Sequence, residues 1–249
     1  METLSEKGLT SYSEFRVTSA DTDMYARVRL GAVVNYLIQS AIDSADRLGF
    51  GYGGIRHQNL FWVLSRLTVE LEQPLKWYEK LEVETWPKNV ERILYIRDFI
   101  LRDGNGIIVG RGTSGWLAVD LATRRMKKID GIHAGFFDHL KDKHAIADPP
   151  EKLFPVKEGD EFDIQPAYYD FDLNGHVTTT RYVDWMMDTF SHEFHKNSFP
   201  RKLTLNIMKE TMPGEKIFMR SRSDGDGVYR FEGMNSDSNT GAFRACICF

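Results

Sequence analysis

Asp172, Asn174 and His176, within Asp172-Leu173-Asn174-Gly175-His176-Val177, set a carboxylate, an amide and an imidazole at every second position. Side chains two apart on extended backbone project to one side, so the spacing predicts that the three converge. An imidazole beside a carboxylate can move a proton near neutral pH, and an amide N–H can hold a developing oxyanion. The same residue types also favour a polar turn before a helix, so composition alone leaves a plain turn open. A helix is predicted to begin through Thr178-Thr179-Thr180, whose hydroxyls suit an N-cap. Its free N–H groups would add positive partial charge at the same place. Glu210 ends a strand predicted over 203–209 and supplies a second carboxylate. Alone it reads as a solvated turn residue; beside the His176 segment it is a candidate general base.

The elements that must position these residues occur twice. Leu30, Val33, Val34, Leu37, Ile38, Ala41, Ala45 and Leu48 recur at spacings of three and four, which predicts an amphipathic helix over 30–48. Gly49, Gly51, Gly53 and Gly54 then mark its stop. Beyond them the period becomes two, in strands around Leu67-Val69-Leu71 and Leu81-Val83, followed by a hairpin turned by Asp103-Gly104-Asn105-Gly106. The second half repeats this order. Lys202-Leu203-Thr204-Leu205-Asn206-Ile207 matches Arg66-Leu67-Thr68-Val69-Glu70-Leu71, and Lys216-Ile217-Phe218-Met219 matches Lys80-Leu81-Glu82-Val83 in the same register. Upstream, Phe162, Ile164, Ala167 and Asp170 are set against Phe15, Val17, Ala20 and Asp23, before a second helix predicted over 180–195. At about 150 residues per domain the length suggests between one and two units, and the repeat decides for two. The predicted division is a first domain at 1–132, a connection containing Pro149-Pro150 at 133–160, and a second domain at 161–249.

The two copies differ in their polar residues. The stretch Asp23-Met24-Tyr25-Ala26-Arg27-Val28-Arg29 keeps a leading Asp but has no Asn or His, and Pro74 stands where Glu210 would fall. Only the second copy is equipped for chemistry.

Apolar residues at 42% and charged residues at 27% exclude a disordered, collagen-like or coiled-coil chain. A net charge of 32 − 36 = −4 gives no basic surplus of the kind that marks a nucleic-acid binder. Cys246 and Cys248 cannot make a disulfide framework and read as buried thiols; a reducing cytoplasm is the expected setting. The N-terminus shows no apolar signal region. The apolar-rich run at 30–42 contains Asn35, Gln39 and Ser40 and is too short to span a bilayer. Neither His133, His139 and His144 nor His192 and His195 have a defensible metal spacing, so no metal is expected. No phosphate loop, dinucleotide fingerprint or nucleophile elbow occurs. Arg124, Arg125, Lys127 and Lys128 form a basic run that could receive an acidic partner.

Asp172-Leu173-Asn174-Gly175-His176-Val177, followed by Tyr182 and Trp185, resembles the signature of the acyl-acyl carrier protein (ACP) thioesterases of plant plastids and bacteria. Asn59-Leu60-Phe61-Trp62-Val63-Leu64-Ser65-Arg66, Glu84-Thr85-Trp86 and Thr123-Arg124-Arg125-Met126-Lys127-Lys128-Ile129 extend the similarity over nearly the whole chain. The resemblance implies an α+β tandem hot-dog fold, each antiparallel sheet wrapped around a long helix. It also implies hydrolysis of fatty acyl-ACP without a cofactor, with Asp172, Asn174, His176 and Glu210 as the catalytic set. Many plant members have a Cys after that Glu; Thr211 stands here, which removes the thiolate that a nucleophilic cysteine mechanism needs. The expected chemistry is therefore water attack. Glu210 with His176 activates the water, Asn174 and helix N–H groups hold the oxyanion, and Asp172 fixes the geometry or shares the base role. By analogy the first copy holds the acyl chain, with Phe61, Trp62 and Trp86 as its pocket, and the basic run at 124–128 receives ACP. An acyl-CoA thioesterase and a non-catalytic acyl-binding protein are the competing readings. No membrane or nucleic-acid partner is expected, and a further homodimer is.

Overall fold

The computed structural model describes residues 6–129 and 139–249; the predicted domain boundary at 132/133 and His133 lie outside them. Helices α1 (Glu6–Leu9), α2 (Leu30–Arg47), α3 (Tyr52–Arg56), α4 (Thr179–Met187) and α5 (His192–Asn197) pack with one large antiparallel sheet. In the first repeat the strands are β1 (Ser11–Arg16), β2 (Leu60–Leu71), β3 (Lys80–Glu91), β4 (Leu94–Asp103), β5 (Ile108–Asp120) and the short β6 (Met126–Lys127). In the second they are β7 (Asp160–Ile164), β8 (Lys202–Ile207), β9 (Ile217–Gly225), β10 (Val228–Asn235) and β11 (Thr240–Cys248). Their order is β1-β3-β4-β5-β2-β8-β11-β10-β9-β7, with β6 on β5.

The repeats join through β2 and β8. Thr68 lies opposite Thr204, and Arg66 opposite Asn206 just as Glu70 lies opposite Lys202. Equivalent positions thus face each other across a local two-fold, the self-complementary pairing of a symmetric dimer built into one chain. Leu67, Val69, Leu203 and Leu205 put their side chains into a core shared by both helices. Helix α2 buries Leu30, Val33, Val34, Leu37 and Ala41 on its apolar face. It ends at the predicted glycines: Gly49 takes φ +81°, where a side chain would be strained, and Phe50 N–H returns to Ala45 O at 3.0 Å. Near its start, a Cβ on Gly31 would lie 2.5 Å from Asp184 Oδ1, so the missing side chain lets α2 and α4 approach closely.

The structure departs from the sequence pattern in two places. The second helix does not run over 180–195. It stops at Met187 and restarts at His192, because Thr189 Oγ1 bonds Met186 O at 2.7 Å and Ser191 Oγ accepts the Phe194 N–H at 3.2 Å. Phe190, in the break, stacks on Phe194 and meets Tyr229 and Phe249 edge-on, with ring centroids 4.7, 4.8 and 5.0 Å away. The upstream register is also two residues off. Phe15 pairs with Leu81 and Ile164 with Ile217, so Phe15 corresponds to Ile164 and Asp23 to Asp172. A slip of two leaves every strand side chain on its own face, which is why apolar alternation could not detect it.

Residues 139–159 contain neither helix nor strand. They lie along the outer face of the sheet, where Asn206 holds Leu153 N–H and Glu151 O, and Glu232 Oε2 accepts Val156 N–H at 2.8 Å. His139 and His144 are exposed. Cys246 and Cys248 are half-buried rather than buried. Burial, then the adjacent Cys248, pushes the Cys246 thiol up to about 11. Alkylation of Cys246 by iodoacetamide is therefore expected to be slow at pH 7 and to quicken about tenfold per pH unit towards pH 10, since the thiolate is the nucleophile. Peptide mass spectrometry over a pH series checks this.

Candidate active site

The Asp172 segment is a turn, not extended backbone. Asp172 Oδ1 accepts the N–H groups of Asn174 at 2.8 Å and His176 at 3.1 Å, Asp172 N–H donates to His176 O at 2.8 Å, and Gly175 takes φ +76°. The three side chains therefore do not converge by alternation, as the spacing had predicted. Asp172 folds back as the brace of the turn. Asn174 and His176 open onto different cavities. The Asn174 side-chain amide makes no hydrogen bond among the described residues, and Thr178, the N-cap of α4, makes no side-chain cap bond.

His176 is buried, and its Nε2 lies 3.2 Å from Glu210 Oε2. The pairing follows from the backbone. Val177 N–H donates to Thr211 O at 3.0 Å, tying the end of the Asp172 turn to the chain just beyond β8 and setting Glu210 beside the imidazole. Thr211 points the other way. Its Oγ1 accepts the Tyr182 hydroxyl at 3.0 Å in the core, where burial pushes the phenol up to about 12. A side chain at 211 thus faces away from the imidazole's partner.

Two cavities meet at Phe61, which lines both. One, of about 440 Å³, lies between the second half of α2 and strands β2, β4 and β5, and is walled by Ala41, Ala45, Trp62, Tyr95 and Trp116 with Leu173 and Asn174 at its rim. Trp62 is fixed there by its Nε1–H bond to Phe50 O at 2.7 Å and by an edge contact with Tyr95. The other, of about 780 Å³, is an open groove along the β2–β8 seam that carries Arg66, Arg124, Lys152, Lys209 and Arg244 and contains His176 and Glu210. The pair lies in the cationic groove, which shares Phe61 as a wall with the apolar cavity.

The predicted contact residues divide. Phe61 and Trp62 line the apolar cavity, but Trp86 does not. It is fully buried on the opposite face of the sheet against Leu9 and Leu140, donating to Lys143 O at 3.2 Å. Trp86 shares its strand parity with Glu82 and Glu84, whereas Leu81 and Val83 face the core. The basic run also divides. Arg125 and Lys128 are exposed, while Lys127 reaches Asp120 at 2.6 Å and its hydrogen bond holds that carboxyl well below the usual range. Arg124 belongs to the site itself: its Nη1 lies 3.4 Å from Glu210 Oε2 and its guanidinium 5.3 Å from the Phe61 ring centroid. Tyr95, Trp116 and Leu173 were absent from the expected pocket, because nothing in their local sequence marks them as cavity-lining.

The first repeat keeps the turn and lacks the chemistry. Asp23 Oδ1 accepts the N–H groups of Tyr25 and Arg27, both at 2.9 Å, in the manner of Asp172. At the His176 position Arg27 pairs with Asp23 and donates to His195 O at 2.5 Å and Ser198 O at 3.1 Å, while Tyr25 OH donates to His192 O at 3.1 Å. The second repeat's α5 region thus plugs the equivalent place, and Pro74 N-terminal to Leu75 offers no carboxylate. Val28 N–H bonds Leu75 O at 2.8 Å as Val177 bonds Thr211, which fixes the correspondence. Among the described residues no cluster of His, Cys, Asp and Glu could hold a metal ion, and no helix is long and apolar enough to cross a membrane. His195 Nε2 instead lies 2.9 Å from Met187 O.

The chain matches two family models, the acyl-ACP thioesterase N-terminal domain over residues 8–134 and the acyl-ACP thioesterase C-terminal domain over residues 154–241. It is 24% identical to oleoyl-acyl carrier protein thioesterase 2 of Arabidopsis thaliana chloroplasts over 95% of this chain and 70% of that one. It is 26% identical to thioesterase 1 of the same plant over 86% of this chain and 64% of the relative. A solved acyl-ACP thioesterase from Bacteroides thetaiotaomicron superposes with a TM-score of 0.90 at 26% identity, over 98% of this chain and 99% of its own. The 12:0-ACP thioesterase of Umbellularia californica shares the fold at a TM-score of 0.82 and 23% identity, over 97% of each chain. The α+β architecture with antiparallel strands around the helices is the expected tandem hot-dog. With both domain models matched in order over most of its length, this chain belongs to the acyl-ACP thioesterase family.

Proposed function

We propose that this acyl-ACP thioesterase cleaves the thioester of fatty acyl-ACP by direct attack of water at the His176–Glu210 pair. The observation that carries the reading is the place of that pair in a cation-lined groove that shares Phe61 with an apolar cavity. The acyl chain enters the apolar cavity past Asn174, and the carrier's thiol-bearing arm lies in the groove, so the thioester carbon stops at the junction. Glu210 takes a proton from water while His176 fixes its carboxylate. The hydroxide oxygen bonds to the carbonyl carbon, and Asn174 with backbone N–H groups at the start of α4 holds the oxyanion. Collapse breaks the C–S bond; the sulfur leaves with the proton from Glu210, giving a free fatty acid and the ACP thiol. Asp172 acts by bracing the turn that carries Asn174 and His176.

In this reading the first repeat is the acyl-chain domain and the second the catalytic one. Arg125 and Lys128 receive the acidic carrier, in a cytoplasmic setting, with a homodimer of the whole chain as the working particle. Hydrolysis of acyl-ACPs and acyl-CoAs of matched chain lengths tests the function: higher kcat/KM on the carrier-bound series supports it, and preference for CoA or binding without turnover sinks it. Reversing charge at R125E/K128E is expected to raise KM for acyl-ACP several-fold, about 1 kcal/mol of lost attraction. It should leave hydrolysis of an acyl-N-acetylcysteamine thioester unchanged. Sedimentation reads the dimer.

A further inference from the structure

Arg124 is the point at which the first repeat reaches the second repeat's chemistry. It sits in the tight connection between β5 and β6, which is locked by Asp120: Oδ1 accepts from Ala122 N at 3.1 Å, Thr123 N at 2.8 Å and Thr123 Oγ1 at 2.9 Å, and Oδ2 from Lys127 Nζ at 2.6 Å. Arg124 itself holds φ +55° and donates its N–H to Asp120 O at 2.9 Å. A left-handed arginine is uncommon and is retained where surrounding contacts over-determine it. From that fixed base the side chain lies across Phe61 and ends at Glu210.

Both nitrogens that reach Glu210 lie against one oxygen. His176 Nε2 lies 3.2 Å from Oε2 and Arg124 Nη1 lies 3.4 Å from the same atom, while Oε1 has no partner among the described residues. One nitrogen comes from each repeat. Together they orient the carboxylate and leave Oε1 to take the proton. The ion pair is half exposed, a setting in which such pairs add little to folding, so its value lies in aim rather than in stability. We propose that Arg124 is a positioning residue for the hydrolytic step, holding Glu210 in its working orientation from the other repeat, and not a docking residue for the carrier. The inference rests on the reading of Glu210 as the base.

The test measures kcat and KM for Arg124→Gln and Arg124→Lys, alone and combined with Glu210→Gln, on acyl-ACP and on an acyl-N-acetylcysteamine thioester that lacks the carrier. Misaiming a catalytic group typically loses one to two orders of magnitude, so Arg124→Gln is expected to lower kcat by about tenfold on both substrates. KM for acyl-ACP should stay within about twofold, the thermal midpoint should not move, and Arg124→Lys should recover most of the rate. In the Glu210→Gln background Arg124→Gln should lower kcat no further, because there is no carboxylate left to aim. A raised KM for acyl-ACP with normal turnover of the small thioester would overturn the inference in favour of docking. Equal losses in both backgrounds would overturn it too. If Glu210→Gln alone turns over at the wild-type rate, the reading of the site falls first and the inference with it.

Discussion

Glu210→Gln is expected to lower kcat on acyl-ACP by about a thousandfold, within the 10²–10⁴ range for loss of a general base, with little change in KM. The amide keeps the size and can still lie against His176 at the Oε2 position, so the fold and the pair's geometry persist while the proton acceptor is gone. The residue is 29% exposed, three positions beyond the end of β8 at Ile207 rather than at the strand end that the sequence suggested, and braces nothing in the core, so the substitution should not destabilise the chain. Steady-state kinetics with a circular dichroism melt separates the two effects. Near-normal kcat in a folded variant would remove Glu210 from the reaction.

Asn174→Ala is expected to cost roughly 3 kcal/mol of transition-state stabilisation, a factor of 10² to 10³ in kcat, the usual consequence of losing an oxyanion donor. Two observations support so large an effect from an exposed side chain. The amide makes no other hydrogen bond among the described residues, so nothing competes for it. The turn that carries it is fixed without it, since Asp172 Oδ1 binds the backbone N–H and not the amide. The loss should therefore fall on kcat, with KM and folding unchanged. Asn174→Asp should be worse than Ala, because a carboxylate at the rim repels the developing oxyanion. A variant that loses affinity but keeps kcat would make Asn174 a binding residue only.

Much of this was legible before any coordinates, and for physical reasons. The helix at 30–47, the strands and the hairpins follow from the period of the apolar residues. The repeat showed itself because Leu67-Thr68-Val69 and Leu203-Thr204-Leu205 must present the same alternation to one shared core. His176 and Glu210 stood out because the stretch from Asp23 to Arg29 holds no His and Pro74 stands in place of the Glu. What stayed hidden depends on contacts between distant segments. A two-residue slip of β1 against β7 changes no face. The break at Thr189–Ser191 depends on rings contributed by β10 and the C-terminus. The Asp172 turn owes its shape to a carboxylate binding backbone two and four residues ahead, where spacing alone suggested a strand. Arg124 looked like one cation among four, and only the β5–β6 connection brings it to Glu210. The place of Trp86 follows from strand parity: Leu81 and Val83 face the core, so the even positions of β3, Trp86 among them, face the other side of the sheet.

In the proposed reaction water, not a protein side chain, attacks the thioester. A rapid-quench experiment with acyl-ACP in excess over enzyme reads it directly, following ACP thiol and free fatty acid while mass spectrometry follows the protein. With water as the nucleophile, thiol and acid appear together, without a burst, and the protein mass stays constant throughout turnover. A burst of thiol ahead of the acid, with protein heavier by one acyl chain, would contradict it.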